Sequence, residues 1–276
     1  MEFVKANGAS IPALGFGTFR IPGPDTQRMV AHVLKNGYKH VDTAQIYGNE
    51  ADVGKGIVAS GIARGELFLT TKVWVENYAH DAFIASVDES LLKLKTDYVD
   101  LLLLHWPNDK VSLAEQIGAL NEVAKSGRAC HIGVSNFNVA MMNEAARLSD
   151  APLVTNQVEF HPYIDQSPVS LASTKLGMAL TGYYAMADGK VLADAALKDI
   201  AAGNGKSVAQ IVLRWIIQQG VVALSKTVSE DRANANVRVF DFELTAAEMT
   251  AMHALAKLDG RLVSPEGLAP VWDIVA

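Results

Sequence analysis

Tyr98-Val99-Asp100-Leu101-Leu102-Leu103-Leu104-His105 is a short apolar run with one interior charge, and it ends on an ionisable side chain. A few residues later, Ser112–Ser126 sets Leu113, Ile117, Leu120 and Val123 on one helical face, and Gly127 is a natural residue to close it. His131–Ser135 is the next apolar run. Working outward, the same alternation continues in both directions. Further runs lie at Leu14–Thr18, Lys39–Asp42, Leu67–Lys72, Leu153–Glu159, Met178–Tyr183 and Val221–Ser225. Helix-length amphipathic segments separate them; Ala82–Leu94, for example, places Phe83, Ile84, Val87, Leu91 and Leu94 on one face. Eight runs close a barrel, whereas open sheets with this alternation usually hold fewer strands. The sequence therefore predicts an α/β protein, a single (β/α)8 TIM barrel over residues 1–276. Two segments fall outside the alternation. Residues 1–12 predict a hairpin with an Asn7-Gly8 turn that plugs the barrel bottom. Residues 259–276 follow a last helix at about 245–257 and predict a loop folded back over the active-site rim.

Composition bounds the function. The 276 residues are 50% hydrophobic and 20% charged with a net charge of −6, enough apolar mass to exclude disorder. An acidic balance with no clustered basic surface argues against general nucleic-acid binding. The single cysteine, Cys130, excludes an intrachain disulfide and a multi-cysteine zinc site. It is expected as an inert buried thiol, and its solitude fits a reducing compartment. Met1–Gly8 lacks the apolar core of a signal peptide, and Val99–Leu104, interrupted by Asp100, is far shorter than a membrane span. A cytoplasmic, monomeric protein without membrane or nucleic-acid partners is the expectation. His32, His40, His80, His131, His161 and His253 show no ligand spacing and are expected to be structural, so no metal is expected.

In such barrels the active site lies at the C-terminal ends of the strands. The predicted strands end, in order, on Asp42, Lys72, His105, Ser135-Asn136, Asn156-Gln157, Tyr183-Tyr184 and Ser225-Lys226. Any one of these is an ordinary polar cap, but together they converge on one rim. Asp42 and Lys72 come from adjacent strands and can pair, and Tyr47 follows in the next loop. A neighbouring ammonium lowers a phenol's pKa, which would make Tyr47 a proton donor to a developing alkoxide. His105 could hydrogen-bond the same oxygen. None of these groups supplies a hydride, so a reduced cofactor must.

The motifs Asp42-Thr43-Ala44-Gln45-Ile46-Tyr47-Gly48-Asn49-Glu50, Thr71-Lys72-Val73-Trp74, Leu104-His105-Trp106-Pro107, Gly133-Val134-Ser135-Asn136-Phe137, Asn156-Gln157-Val158-Glu159 and Lys226–Arg232 resemble the aldo-keto reductase superfamily. The likeness runs from about residue 10 to the end, with its motifs in family order. The Arg261–Pro270 tail and the Leu91–Leu101 stretch are most similar to bacterial 2,5-diketo-D-gluconate reductases of the B type. The resemblance implies an NADPH-dependent carbonyl reductase with a tetrad of Asp42, Tyr47, Lys72 and His105. It implies that Ser135, Asn136 and Gln157 hold the nicotinamide carboxamide and that Tyr183 stacks on the ring. Lys226, Thr227 and Arg232 would surround the 2′-phosphate, with Asn236 near the adenine. Phe19, Trp74, Trp106 and Trp272 could wall a pocket for a small carbonyl, a sugar-derived diketone or a methylglyoxal-like dicarbonyl. Tyr184-Ala185-Met186 departs from the family's usual serine and Pro-Leu, which puts the pyrophosphate contact there in question. Leu224-Ser225 and Ala235 also depart, without removing the 2′-phosphate ligands. A regulatory NADPH-binding subunit on the same barrel and a metal-dependent barrel hydrolase are the rivals. All four tetrad types being present counts against the first, and the lack of clustered His and carboxylate ligands at the strand ends against the second.

Overall fold

In the computed structural model, which describes residues 1–273, the first two strands form an antiparallel hairpin: β1 (Phe3–Ala6) and β2 (Ala9–Pro12). Its turn takes Asn7 and Gly8 through positive φ, 43° and 88°, as a two-residue hairpin turn requires. Eight parallel strands then close a barrel. They are β3 (Leu14–Gly17), β4 (His40–Asp42), β5 (Phe68–Val73), β6 (Val99–Leu104), β7 (Ala129–Ser135), β8 (Leu153–Glu159), β9 (Ala179–Tyr183) and β10 (Val222–Ser225). Each predicted run overlaps one of them, with ends that agree to within two residues.

Helices α1 (Gly23–Lys35), α2 (Glu50–Ser60), α3 (His80–Leu94), α4 (Leu113–Lys125), α5 (Val139–Leu148) and α6 (Ser167–Lys175) fill the first six crossovers. Two helices, α7 (Ala195–Asn204) and α8 (Val208–Gln218), follow β9, and α9 (Glu230–Asn236) and α10 (Ala246–His253) follow β10. The last helix is shorter than predicted. The hydroxyl of Ser112 caps α4 by accepting from the Glu115 amide, so the predicted start holds to one residue. Strands β5 and β8 are buried throughout, because the helical layer covers one face and the barrel interior the other. A small inner cluster, including Ile11, Leu101, Leu103, Val154 and Val222, joins the hairpin to the barrel interior.

Register brings the strand ends level. Gly17 pairs with Asp42, Ser135 with Gln157 and Glu159 with Tyr183. One expectation fails at the opposite end. Cys130 is exposed rather than buried, because it stands one residue into β7, where the barrel base is not yet covered by the flanking helices.

Candidate active site

Lys72 is the centre of the rim. Its ammonium is completely buried and lies 2.6 Å from Asp42 Oδ1, 2.8 Å from the Thr43 carbonyl and 3.4 Å from the Tyr47 hydroxyl. Three donors meet three oxygens, so the cation is fully engaged. Burial pushes the Lys72 pKa down, and the adjacent Asp42 carboxylate opposes that shift. The second Asp42 oxygen accepts from Gln157 Nε2 at 2.8 Å, which ties β4 to β8 across the barrel.

Tyr47 lies in a short 3-10 turn, Gln45–Tyr47, that ends on the left-handed Gly48. Its hydroxyl accepts from Lys72, so its own proton is free to point away from the pair. The expected lowering of its pKa by the ammonium is not what the structure gives. Burial and the Asp42 carboxylate hold the phenol well above 10, so the resting group is protonated. His105 lies edge-on to Tyr47 and Trp74, with ring centroids 5.6 and 5.3 Å away. Burial and the Lys72 charge hold its pKa well below 6.5, which leaves a neutral imidazole with one N–H.

Next to the tetrad, the Asn136 amide donates to the His105 carbonyl at 3.0 Å and to Ser135 Oγ at 3.1 Å. Its oxygen accepts the Tyr183 hydroxyl at 2.7 Å. Asn136 holds a left-handed backbone, φ 63°, a conformation that Asn tolerates better than most residues. Ser135 Oγ donates to the Gln157 carbonyl at 2.8 Å. The three residues expected around a carboxamide and the Tyr183 expected to stack on the ring thus form one connected patch.

Lys226, Thr227, Arg232 and Asn236 gather at the end of β10 and on α9. Lys226 and Arg232 are exposed, whereas Thr227 and Asn236 are buried. Neither cation makes an ion pair among the described residues; Glu230 is taken instead by Arg28 at 2.8 Å. The Ser229 hydroxyl accepts from the Arg232 amide and so caps this short helix itself.

The aromatic residues divide between wall and rim. Phe19 packs on Tyr47 at 4.9 Å, and Trp106 meets Trp272 edge-on at 6.4 Å. The tail does fold back at this rim: Leu262 and Val263 donate to Glu159, and Asn138 donates to the Val271 carbonyl. Not all of its apolar residues are covered. Val271 is 89% exposed, and Ile274 lies outside the described residues.

Residues 13–257 match the Aldo/keto reductase family. The chain belongs to that family. It is similar to the methylglyoxal reductase DkgB of Escherichia coli O157:H7, 42% identical over 96% of this chain and the whole of that protein. A solved structure provisionally named 2,5-diketo-D-gluconic acid reductase B superposes with a TM-score of 0.98 at 61% identity, covering 99% of this chain and 98% of the other. The aldo-keto reductase of Bombyx mori, solved in complex with NADP, gives 0.87 at 32% identity, covering 92% of each chain. As a member of this family the chain is an oxidoreductase, an aldo-keto reductase built on the TIM barrel.

Several residues that shape this reductase rim are not legible as functional in the sequence. Gln45 accepts from the Trp74 amide at 2.9 Å and from Asn77 Nδ2 at 3.0 Å, which fixes the wall beside Tyr47. Arg20 and Asp188, both in left-handed backbone, face each other at 4.0 Å from the loops that follow β3 and β9. Tyr184, which follows the strand-end Tyr183, is also left-handed at φ 62°. No spacing or residue type announces these partners, because each depends on two loops meeting.

Proposed function

We propose that the chain reduces small carbonyl compounds to alcohols with NADPH, as a single reductase domain acting as a monomer in the cytoplasm. The observation that carries this is the Tyr47 hydroxyl, which accepts from Lys72 at 3.4 Å and therefore keeps its own proton for a ligand. NADPH, when bound, supplies the hydride. The chain's own groups do the rest. Tyr47 donates its proton to the carbonyl oxygen as charge develops there, and Lys72 then faces the phenolate at close range. Asp42 opposes the lowering of the Lys72 pKa by burial and so favours the charged ammonium. The neutral His105 offers one N–H to the same oxygen.

The residues fit the cofactor. Gln157 spends its amide on Asp42 and makes no hydrogen bond with its side-chain carbonyl oxygen among the described residues. That oxygen suits a carboxamide NH2, beside Ser135 and Asn136. The Tyr183 ring would stack on the nicotinamide. Lys226 and Arg232, both without an ion pair among the described residues, would meet the 2′-phosphate with Thr227, and Asn236 would lie near the adenine. Phe19, Trp74, Trp106 and Trp272 would wall a pocket for a dicarbonyl of methylglyoxal size or a sugar-derived diketone such as 2,5-diketo-D-gluconate. An assay of NADPH oxidation over a panel of carbonyls, repeated with NADH, tests the reading. Turnover with NADPH in preference to NADH supports it; no turnover with any carbonyl overturns it.

A further inference from the structure

Glu159 ends β8 with a side chain that has no exposure at all. A lone buried carboxylate is costly, so its partners matter. Oε1 accepts from the Leu262 amide and from His161 Nε2, each at 2.8 Å, and Oε2 accepts from the Val263 amide at 3.0 Å. His161 Nδ1 accepts from the Tyr163 amide at 3.3 Å, so Nε2 carries the proton that it donates. The cation facing Glu159 is Arg261, whose guanidinium nitrogen lies 3.8 Å from Oε2. That guanidinium also lies over the Trp272 ring at 3.7 Å, and Trp272 in turn touches Trp106. Gly260 leads the tail into this anchor. A Cβ there would overlap the Tyr163 carbonyl oxygen, so only glycine lets the backbone pass so close.

We propose that Glu159 is a positioning residue for substrate selection, gripping two tail amides and holding Arg261 under Trp272. It touches no reacting atom. Its carboxylate converts a tail with no helix or strand into a fixed wall, because a backbone amide bonded to a buried charge cannot drift. A bulky polar carbonyl meets that wall, whereas a three-carbon dicarbonyl does not. This role rests on the reductase reading above.

Glu159→Gln in the full chain tests it. The amide offers one acceptor oxygen where the carboxylate has two, so at least one tail amide faces a donor and loses its partner. The KM for 2,5-diketo-D-gluconate should rise about tenfold, in keeping with the loss of one charge-assisted hydrogen bond. kcat for that substrate and kcat/KM for methylglyoxal should stay within about threefold on the same grounds. Hydrogen exchange should lose its protection at whichever of the Leu262 and Val263 amides faces the new NH2. A purely structural role would slow both substrates by one factor, and that result, or unchanged exchange, overturns the proposal. If this variant does not fold, Arg261→Met keeps the amide bonds and removes only the guanidinium under Trp272. It should shift the KM ratio in the same direction by about threefold, and an unchanged ratio overturns the proposal. A wild-type chain that reduces neither carbonyl overturns the reductase reading itself, whereas a failure confined to Glu159→Gln and Arg261→Met leaves that reading standing.

Discussion

The two ends of the proposed cofactor groove are built on opposite principles. At the tetrad end, Asp42, Lys72 and Gln157 are almost wholly buried and joined by bonds of 2.6 to 2.8 Å. At the far end, Lys226 and Arg232 stand in solvent without an ion pair among the described residues. The first arrangement is made by the fold itself, its charges already paired with one another, as electrostatic preorganisation requires. On the proposed reading, the second would leave its charges hydrated until a phosphate arrives, so its strength would be realised only on binding and would be sensitive to salt. Chemistry and recognition would thereby be separated along one groove.

The largest expected effect breaks the chemical end alone. Tyr47→Phe should lower kcat for carbonyl reduction by about 10^2 to 10^4, the usual contribution of a positioned general acid. The NADPH Kd, read by fluorescence titration, should stay within about twofold, because the phenol is not a proposed cofactor ligand. A variant that keeps near-wild-type kcat places the proton source elsewhere.

The next effect probes the buried floor beneath Asp42. His40 is fully buried against Thr70 and Phe68, and burial lowers its pKa from 6.5 to about 4. The unfolded chain, with a pKa near 6.5, therefore takes up the proton first as pH falls. Stability from this group is complete above about pH 6.5 and drains away between there and about pH 4, by about 3 kcal/mol in all. His105 is shifted in the same direction, so the two losses add. Urea unfolding across this range should show the decline in wild type and a shallower one in His40→Gln. Equal slopes would show that the floor does not carry the dependence.

The smallest effect belongs to the exposed end. Arg232→Ala should weaken NADPH by roughly tenfold to a hundredfold, the equivalent of about 1.5–3 kcal/mol for a charged hydrogen bond. NADH should be affected much less, and the gap should narrow as salt is added. Equal losses for both cofactors would mean that Arg232 does not meet the 2′-phosphate, and the contrast between the two ends would then need redrawing.

Much of this is legible in the sequence. The alternation around Tyr98–His105 predicted all eight barrel strands, because a strand buried on both faces has to be an apolar run. The strand-end residues Asp42, Lys72, His105 and Gln157 do meet at one rim, since a closed parallel barrel sends every strand end to the same face. The direction of the Tyr47 shift was not legible. Proximity of an ammonium suggested a lowered pKa, but the net effect depends on how deeply the ring is buried and on Asp42, which are distances rather than residue types. Cys130 was misplaced for a related reason, since strand membership does not say how far the helical layer reaches down the barrel.

The sequence by itself determined the fold class, the rim on which the polar groups collect and the family, because periodicity and motif order are local properties of the chain. Only the tertiary structure decided which of those groups act on one another. Lys72 reaches Asp42 and Tyr47 across strand and loop, and Glu159 catches amides more than a hundred residues away. Such partners share no spacing in the sequence. They are chosen by barrel closure and by the path of the tail, where a difference of an ångström separates a hydrogen bond from none.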